Sequence, residues 1–207
     1  MANPRIILAS QSPRRAEILR GVLPPGTSLT VVNPAIDEKA IRYPGPAALT
    51  MAIARAKNEA VAKLLSDDAI VVTADTVAVW EGEIREKPRD PAELRRFAIS
   101  YGYAPVTAVT SVWVHRTHAV PAGGPGTGYF GWSGSATDAA SVSFSPFSDL
   151  ELDAIVKEPA FYGSAGGFLI EHPLMKDHVL GIDGDAETIQ GLPGRLVRLL
   201  LRDAAEK

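Results

Sequence analysis

The sequence predicts an α/β fold: an elongated mixed sheet flanked by helices. Three observations carry that prediction. Short β-rich apolar runs, such as Ile6 to Ala9 and Ile70 to Ala74, alternate with longer stretches whose apolar residues recur at helical spacing. Helix starts are marked by a capping residue followed by proline, as at Ser12-Pro13 and Asp90-Pro91. The balance of 46% hydrophobic and 22% charged residues is that of a globular domain, and 207 residues suit one domain, 1–207, with two lobes allowed.

Taken in order, Ile6 to Ala9 reads as a short buried strand, and Pro13 opens a helix with Ala16, Leu19 and Leu23 on one face. A Pro- and Gly-rich loop precedes a second strand, Leu29 to Val32, which runs into the acidic pair Asp37-Glu38. Pro44-Gly45-Pro46 starts a long helix whose apolar positions run from Leu49 to Leu64. Ile70 to Ala74 reads as a central strand that Asp75 interrupts and Val77 to Trp80 resumes, with a hairpin turn at Glu81-Gly82. A helix from Pro91 to about Ile99 and an alternating strand from Val106 to Val114 follow. The glycine-rich segment 121–135 is expected to be a mobile hairpin tip or insertion, with strand character resuming from Ala140 to Phe144. Ser148-Asp149-Leu150-Glu151 is a capping-box pattern, Gly166-Gly167 predicts a tight turn into a strand at Phe168 to Ile170, and Leu192 to Ala205 is a closing amphipathic helix.

Bulk properties exclude several classes. The net charge of -3 lacks the basic surplus of a protein that grips nucleic acid through many phosphates. The absence of cysteine rules out disulfides and thiolate metal sites. The apolar run near the start is too short for a signal segment, and no stretch reaches the ~20 apolar residues of a membrane span, so a cytoplasmic protein without membrane contact is expected. There is no Walker A loop, no Rossmann glycine fingerprint and no nucleophile elbow. The four histidines form no metal signature: His115 and His118 fall on opposite faces of a strand, and His172 and His178 lie in a loop region.

Four segments could carry chemistry. Ser10-Gln11-Ser12-Pro13-Arg14-Arg15 places two hydroxyls and two guanidiniums at a helix start, where the dipole disfavours cations. Such a tip suits an anion, phosphate above all; the alternative is arginines that point to solvent or pair with Glu17 or another acid. Asp75, with Thr76 after it, sits in an apolar run and needs a partner, which could be a metal ion, a lysine or backbone N–H groups. Asp37-Glu38 offers hard oxygen ligands in a loop, or two solvated side chains. In Glu86-Lys87-Pro88 the proline keeps Lys87 extended, while Lys57 borders the apolar stripe of its helix; each is a phosphate ligand or a solvated lysine.

Together these segments resemble the Maf family of nucleotide pyrophosphatases. Leu8-Ala9-Ser10-Gln11-Ser12-Pro13-Arg14-Arg15 is close to that family's opening motif, and Asp37-Glu38 to its acidic pair. Ile53-Ala54-Arg55-Ala56-Lys57, Val72-Thr73-Ala74-Asp75-Thr76-Val77, Glu86-Lys87-Pro88, Ala165-Gly166-Gly167 and Gly191-Leu192-Pro193 are similar to the motifs that follow. The resemblance implies two lobes around a central cleft, as in inosine triphosphate pyrophosphatase-like folds, and a homodimer. It implies hydrolysis of a nucleoside triphosphate to the monophosphate and pyrophosphate with Mg²⁺ or Mn²⁺. Asp75 would accept a proton; Glu38 and Asp75 would hold the metal; Ser10, Ser12, Arg14, Arg15, Lys57, Thr76, Lys87 and Glu171 would contact substrate. Arg14 and Thr76 resemble the subgroup acting on dTTP and UTP, whereas Glu171 resembles the subgroup acting on 7-methyl-GTP, which leaves dTTP/UTP the first expectation and 7-methyl-GTP the alternative. A non-catalytic nucleotide-binding regulator of septum formation is a further alternative. The chain departs from the family pattern at Gly163-Ser164, where Asp-Lys is usual, and at Ser100 to Pro105, which lacks a usual histidine.

Overall fold

The computed structural model describes residues 4–117 and 131–207. The strands are β1 (Arg5–Ala9), β2 (Leu29–Val32), β3 (Ala69–Trp80), β4 (Glu83–Arg85), β5 (Val106–Thr117), β6 (Gly131–Phe144) and β7 (Val179–Asp183). The helices are α1 (Pro13–Val22), α2 (Pro46–Ala62), α3 (Pro91–Tyr101), α4 (Asp149–Lys157), α5 (Pro173–Lys176), α6 (Ala186–Ile189) and α7 (Gly194–Ala205), with 3-10 turns at Glu38–Ala40, Pro159–Gly163 and Ala165–Gly167. The strands form a seven-stranded sheet in the order β2-β1-β3-β5-β6-β7, with β4 paired to β3 off that path. The β1–β2 and β1–β3 pairs are parallel, and the β3–β4 and β6–β7 pairs are antiparallel, so the sheet is mixed as expected.

The chain divides into two compact units, and β3, β5 and β6 each run from one into the other. The first unit holds residues 1–75, 110–137 and 191–207. Here β3 is covered on both faces, which explains its apolar run. Ile70, Val72 and Ala74 join Ala16 and Leu19 of α1 and Val197 of α7 in one core. The alternate residue Val71 packs with Ile7, Ala9 and Val61 in another. Arg116 fastens the end of α7: it pairs with Asp68 at 2.9 Å and donates to the Ala204 carbonyl at 3.0 Å.

The second unit holds residues 76–109 and 138–190. Its core gathers Leu94 and Phe97 of α3, Leu152 and Ile155 of α4, and Phe144, Phe161 and Phe168. The capping box is present as predicted: Ser148 accepts from the Glu151 backbone N–H, and Glu151 Oε2 accepts from that of Ser148 at 2.7 Å. The Glu81-Gly82 hairpin forms too, with both residues at positive φ as a primed turn requires.

Three expectations need correction. Asp75 does not interrupt a strand: β3 is continuous through it, because a lysine meets the carboxylate inside the fold. The glycine-rich segment does not extend to 135, since β6 begins at Gly131; residues 121–130 lie outside the described residues, as does His118. A Cβ at Gly134 would run into the indole of Trp132 and the side chain of Leu200 on α7, so that glycine marks a close approach of β6 to α7. Phe168 to Ile170 is not a strand. The Gly166-Gly167 turn forms, with φ of 67° and 64°, but Ser164 Oγ then donates to the Phe168 carbonyl at 2.8 Å and the segment turns into the core.

Candidate active site

The opening motif builds a tight corner. Ser10 is buried at the end of β1, and its N–H extends the β1–β2 ladder to the Val32 carbonyl at 3.0 Å. Its hydroxyl accepts from the Ser12 N–H at 3.1 Å, and the Ser12 hydroxyl caps α1 by accepting from the Arg15 N–H at 3.4 Å. Pro13 fits the first helical turn, where its missing N–H leaves no bond unmade. Arg14 and Arg15 therefore leave the first turn half-buried, but with different surroundings. Arg15 turns inward: Nε donates to the Gly191 carbonyl and Nη1 to the Ala74 carbonyl, both at 2.8 Å. That guanidinium joins three motifs that are far apart in sequence: the α1 tip, the residue before Asp75, and Gly191-Leu192-Pro193.

Asp75 lies on the face of β3 that also carries Val71 and Thr73, four and two residues earlier. Opposite it, α2 presents Lys57, whose Nζ donates to Asp75 Oδ1 at 2.8 Å and lies 3.0 Å from Glu38 Oε1. Lys57 and Asp75 are almost withdrawn from solvent, with side-chain exposures of 7% and 9%, while Glu38 stays 43% exposed. The acidic pair thus splits its work. Asp37 caps the short 3-10 turn by accepting from the Lys39 N–H, and this delivers Glu38 to the lysine.

The electrostatics follow from burial. Burial raises the Asp75 carboxyl above its ordinary range, and Glu38 pushes the same way; Lys57 and Arg15 oppose them without cancelling the effect. Burial also lowers Arg15, against the pull of Asp75 and Glu38. A carboxylate so perturbed inside a cluster of charges is what proton transfer requires. Two hard carboxylates converging on one cation also fit a small divalent ion that takes one or two protein oxygens and completes its shell from phosphates and water. Among the described residues no group of three or more His, Asp or Glu residues could hold a metal.

The structure brings together Ser10, Ser12, Arg15, Glu38, Lys57 and Asp75 within the first unit, with Arg14 on the same helix tip. Thr76 follows Asp75 along β3 as the first residue of the second unit, which also carries Lys87 and Glu171, both exposed. There Pro88 is buried, and the Glu86 carbonyl accepts from the Gly166 N–H at 2.9 Å, so the Lys-Pro and Ala-Gly-Gly motifs are bonded to each other. His115 is buried in β5, where Nδ1 meets Ser133 Oγ at 2.7 Å; it takes no part in the cluster above. Sequence reasoning missed Asn58 and Thr73, both fully buried beside Lys57 and Asp75. The only signal was a polar residue at each of two positions meant for the interior.

The family model described as Maf-like protein matches residues 5–204. A 7-methyl-GTP pyrophosphatase of Dictyostelium discoideum is 35% identical, with the whole of both chains aligned. A dTTP/UTP pyrophosphatase of Moorella thermoacetica is 34% identical over 91% of this chain and 89% of its own, and one of Lacticaseibacillus casei is 29% identical over 96% and 98%. Among the described residues no helix is long and apolar enough to cross a membrane.

Proposed function

The chain belongs to the Maf-like protein family, and from that premise we propose that it is a nucleoside triphosphate pyrophosphatase acting on dTTP and UTP. The observation that carries this reading is the buried Lys57 held between Asp75 and Glu38, beside the Arg15 guanidinium. Phosphoryl chemistry is mostly positioning and charge neutralisation, and this cluster offers both signs of charge on rigid elements. Water attacks the α-phosphorus and forms the new P–O bond. The bond from that phosphorus to the α–β bridging oxygen breaks, and pyrophosphate leaves with the electron pair. Asp75 takes the proton from the water. Burial, which makes this carboxyl a better proton acceptor than an exposed aspartate, supports that assignment.

Arg14 and the Ser10 and Ser12 hydroxyls are assigned to the phosphates at the helix tip, and Lys57 to charge neutralisation. Arg15 acts there mainly by position, since two of its donors are committed to backbone carbonyls. Thr76 and Lys87 are assigned to substrate from the resemblance. Glu38 and Asp75 would hold Mg²⁺ or Mn²⁺, which when bound neutralises the triphosphate. A homodimer in the cytoplasm completes the reading.

A second reading, 7-methyl-GTP as substrate, is favoured by Glu171. Ionised glutamate only accepts hydrogen bonds, which suits the N–H edge and positive charge of a 7-methylated guanine better than a pyrimidine. The 35% identical relative carries that activity in its name. Incubation with Mg²⁺ and dTTP, UTP, 7-methyl-GTP or GTP, with separate assays for pyrophosphate and orthophosphate, tests both readings. Pyrophosphate release with a kcat/KM at least tenfold higher for dTTP or UTP supports the first; the reverse ratio supports the second. Binding without release would return the chain to a regulatory role, and orthophosphate as the product would overturn the bond assignment.

A further inference from the structure

Two polar side chains next to the Lys57–Asp75 pair belong to no part of the chemistry above. Asn58 follows Lys57 on α2, and Thr73 precedes Asp75 by two on β3; both have no exposed surface. Asn58 Nδ2 donates to the Val71 carbonyl of β3 at 2.9 Å, with Thr73 Oγ1 and the Trp113 carbonyl of β5 each at 3.4 Å. Thr73 Oγ1 in turn lies 2.8 Å from the Ala54 carbonyl of α2 and 3.2 Å from that of Trp113. The contacts are reciprocal: a helix side chain reaches a strand carbonyl, and a strand side chain reaches a helix carbonyl.

Such a crossed arrangement does something that apolar packing does not. Burial of apolar surface is non-directional, so contact with Val, Ile and Ala does not by its energy alone single out one placement of the helix. Hydrogen bonds weaken steeply with angle and distance. One bond in each direction fixes both the translation of α2 along β3 and its rotation. A fully buried amide is also a costly way to fill space, since an apolar residue of similar size carries no desolvation penalty. Buried polar networks that are satisfied specify one arrangement over close competitors. The arrangement specified here is the one that sets Lys57 Nζ 2.8 Å from Asp75 Oδ1.

We propose that Asn58 and Thr73 are positioning residues, whose crossed contacts between α2 and β3 set the register that holds Lys57 against Asp75. For its effect on turnover this inference rests on the pyrophosphatase reading; for its effect on the ion pair it does not. The helix has a separate anchor, Thr50 Oγ1 to Ser111 Oγ at 2.7 Å and on to Thr137, so loss of one crossed contact leaves α2 docked.

The test uses Asn58→Ala and Thr73→Val in the full chain, with Lys57→Met as the second leg of a double-mutant cycle. Melting curves establish the fold, and assays run well below each midpoint. The first readout is the ¹H–¹⁵N signal of the Lys57 ammonium, assigned by its absence from Lys57→Met. It should be sharp in the unaltered protein and broadened or lost in both positioning variants. The second is the kcat against KM split. Each variant should lose at least tenfold in kcat with KM within threefold, yet change the residual kcat of Lys57→Met by less than twofold. An unchanged ammonium signal, or equal kcat losses in both backgrounds, would overturn the inference. If Asn58→Ala fails to fold, Thr73→Val, which keeps the β-branched shape, decides alone. A protein that releases no pyrophosphate but loses the ammonium signal in the variants refutes the proposed activity and leaves the positioning role standing.

Discussion

Each unit of this protein buries a cation, and the two are held in different ways. In the second unit Arg85 is 1% exposed. Its guanidinium donates to Glu83 at 2.8 Å and to Ser100 Oγ at 2.6 Å, and it lies 4.5 Å from the ring centres of both Trp80 and Phe97. Arg96 also bonds Glu83, and this bond, with that from Arg85, holds the Glu83 carboxyl below its ordinary range. A planar, rigid ion has been given planar, rigid partners. In the first unit Lys57 is a compact charge on a flexible stem between two carboxylates, and the buried one, Asp75, is raised rather than lowered. Arg85 is held in one geometry by its partners. Lys57 and Asp75 sit where a proton or a competing cation can change the arrangement. Burial of a charge is therefore not in itself the mark of a site; the mark is a buried pair in which one member is left poised.

The comparison breaks first at Asp75. Replacing it with asparagine keeps the shape and removes the proton acceptor, so kcat on the preferred triphosphate should fall by about 10²- to 10⁴-fold. The raised carboxyl also gives the sign of the stability effect. An acid whose folded pKa lies above its unfolded value favours the fold while protonated, and that contribution is lost as pH rises through the folded pKa. A neutral side chain at this position should thus melt no lower than the original at pH 7. Turnover within threefold of normal, or a large drop in melting temperature, would show Asp75 to be a structural residue like those around Arg85.

The opposite pattern is expected at Arg85. Arg85→Ala opens a hole among Trp80, Phe97 and Tyr101 and removes a charge whose partner, Glu83, can still reach water. The cost should be about 2–4 kcal/mol in urea unfolding, with kcat of the folded enzyme within threefold. Arg116 lies between the two extremes. It is partly exposed, paired with Asp68, and bonded to the last carbonyls of α7. Arg116→Ala should cost about 1–2 kcal/mol by the same measurement, from the lost carbonyl contacts and a helix end without its cation. A loss as large as that at Arg85 would mean that the α7 anchor carries more of the fold than its exposure indicates.

How much of this was legible in sequence depended on the range of the interaction. Ser12-Pro13, Asp90-Pro91 and the Ser148–Glu151 box name their helix starts because cap and partner lie within one turn. The β2 bounds and the Glu81-Gly82 turn were likewise readable from local pattern. Asp75 was readable as an acid in an apolar run, but not as a residue inside a continuous strand, because the lysine that makes this tolerable is 18 residues away on α2. The inward turn of Arg15 is not legible in sequence, because nothing nearby announces the Gly191 and Ala74 carbonyls that receive it. The β7 strand escaped notice because four of its five residues are exposed and show no buried alternation. The resemblance supplied the order of the motifs; only the fold showed that Asp37 caps a turn while Glu38 reaches the lysine.

The smallest effect belongs to a carboxylate shifted the other way. Glu151 Oε2 accepts from the Ser148 N–H at 2.7 Å and from its hydroxyl at 2.6 Å, and Oε1 lies 3.0 Å from His178 Nε2. The Ser148 bonds, with help from His178, bring this carboxyl down to about 2. Here the ionised form is the one the fold prefers. Its contribution is complete above the unfolded value of about 4.3 and is lost as pH falls from there through the folded value. Because the group is half-exposed, water and salt screen much of the effect. Glu151→Gln retains an acceptor but not the charge. The urea midpoint of the original chain should exceed that of the variant by a small, constant margin above about pH 5, and the margin should shrink steadily as the pH is lowered to about 2. Asp75→Asn, measured in the same series, should gain on the original as pH rises rather than as it falls. Parallel curves for the two variants would mean that the contrast between a buried carboxylate and a capping one, drawn here from their partners, does not govern how either contributes to the fold.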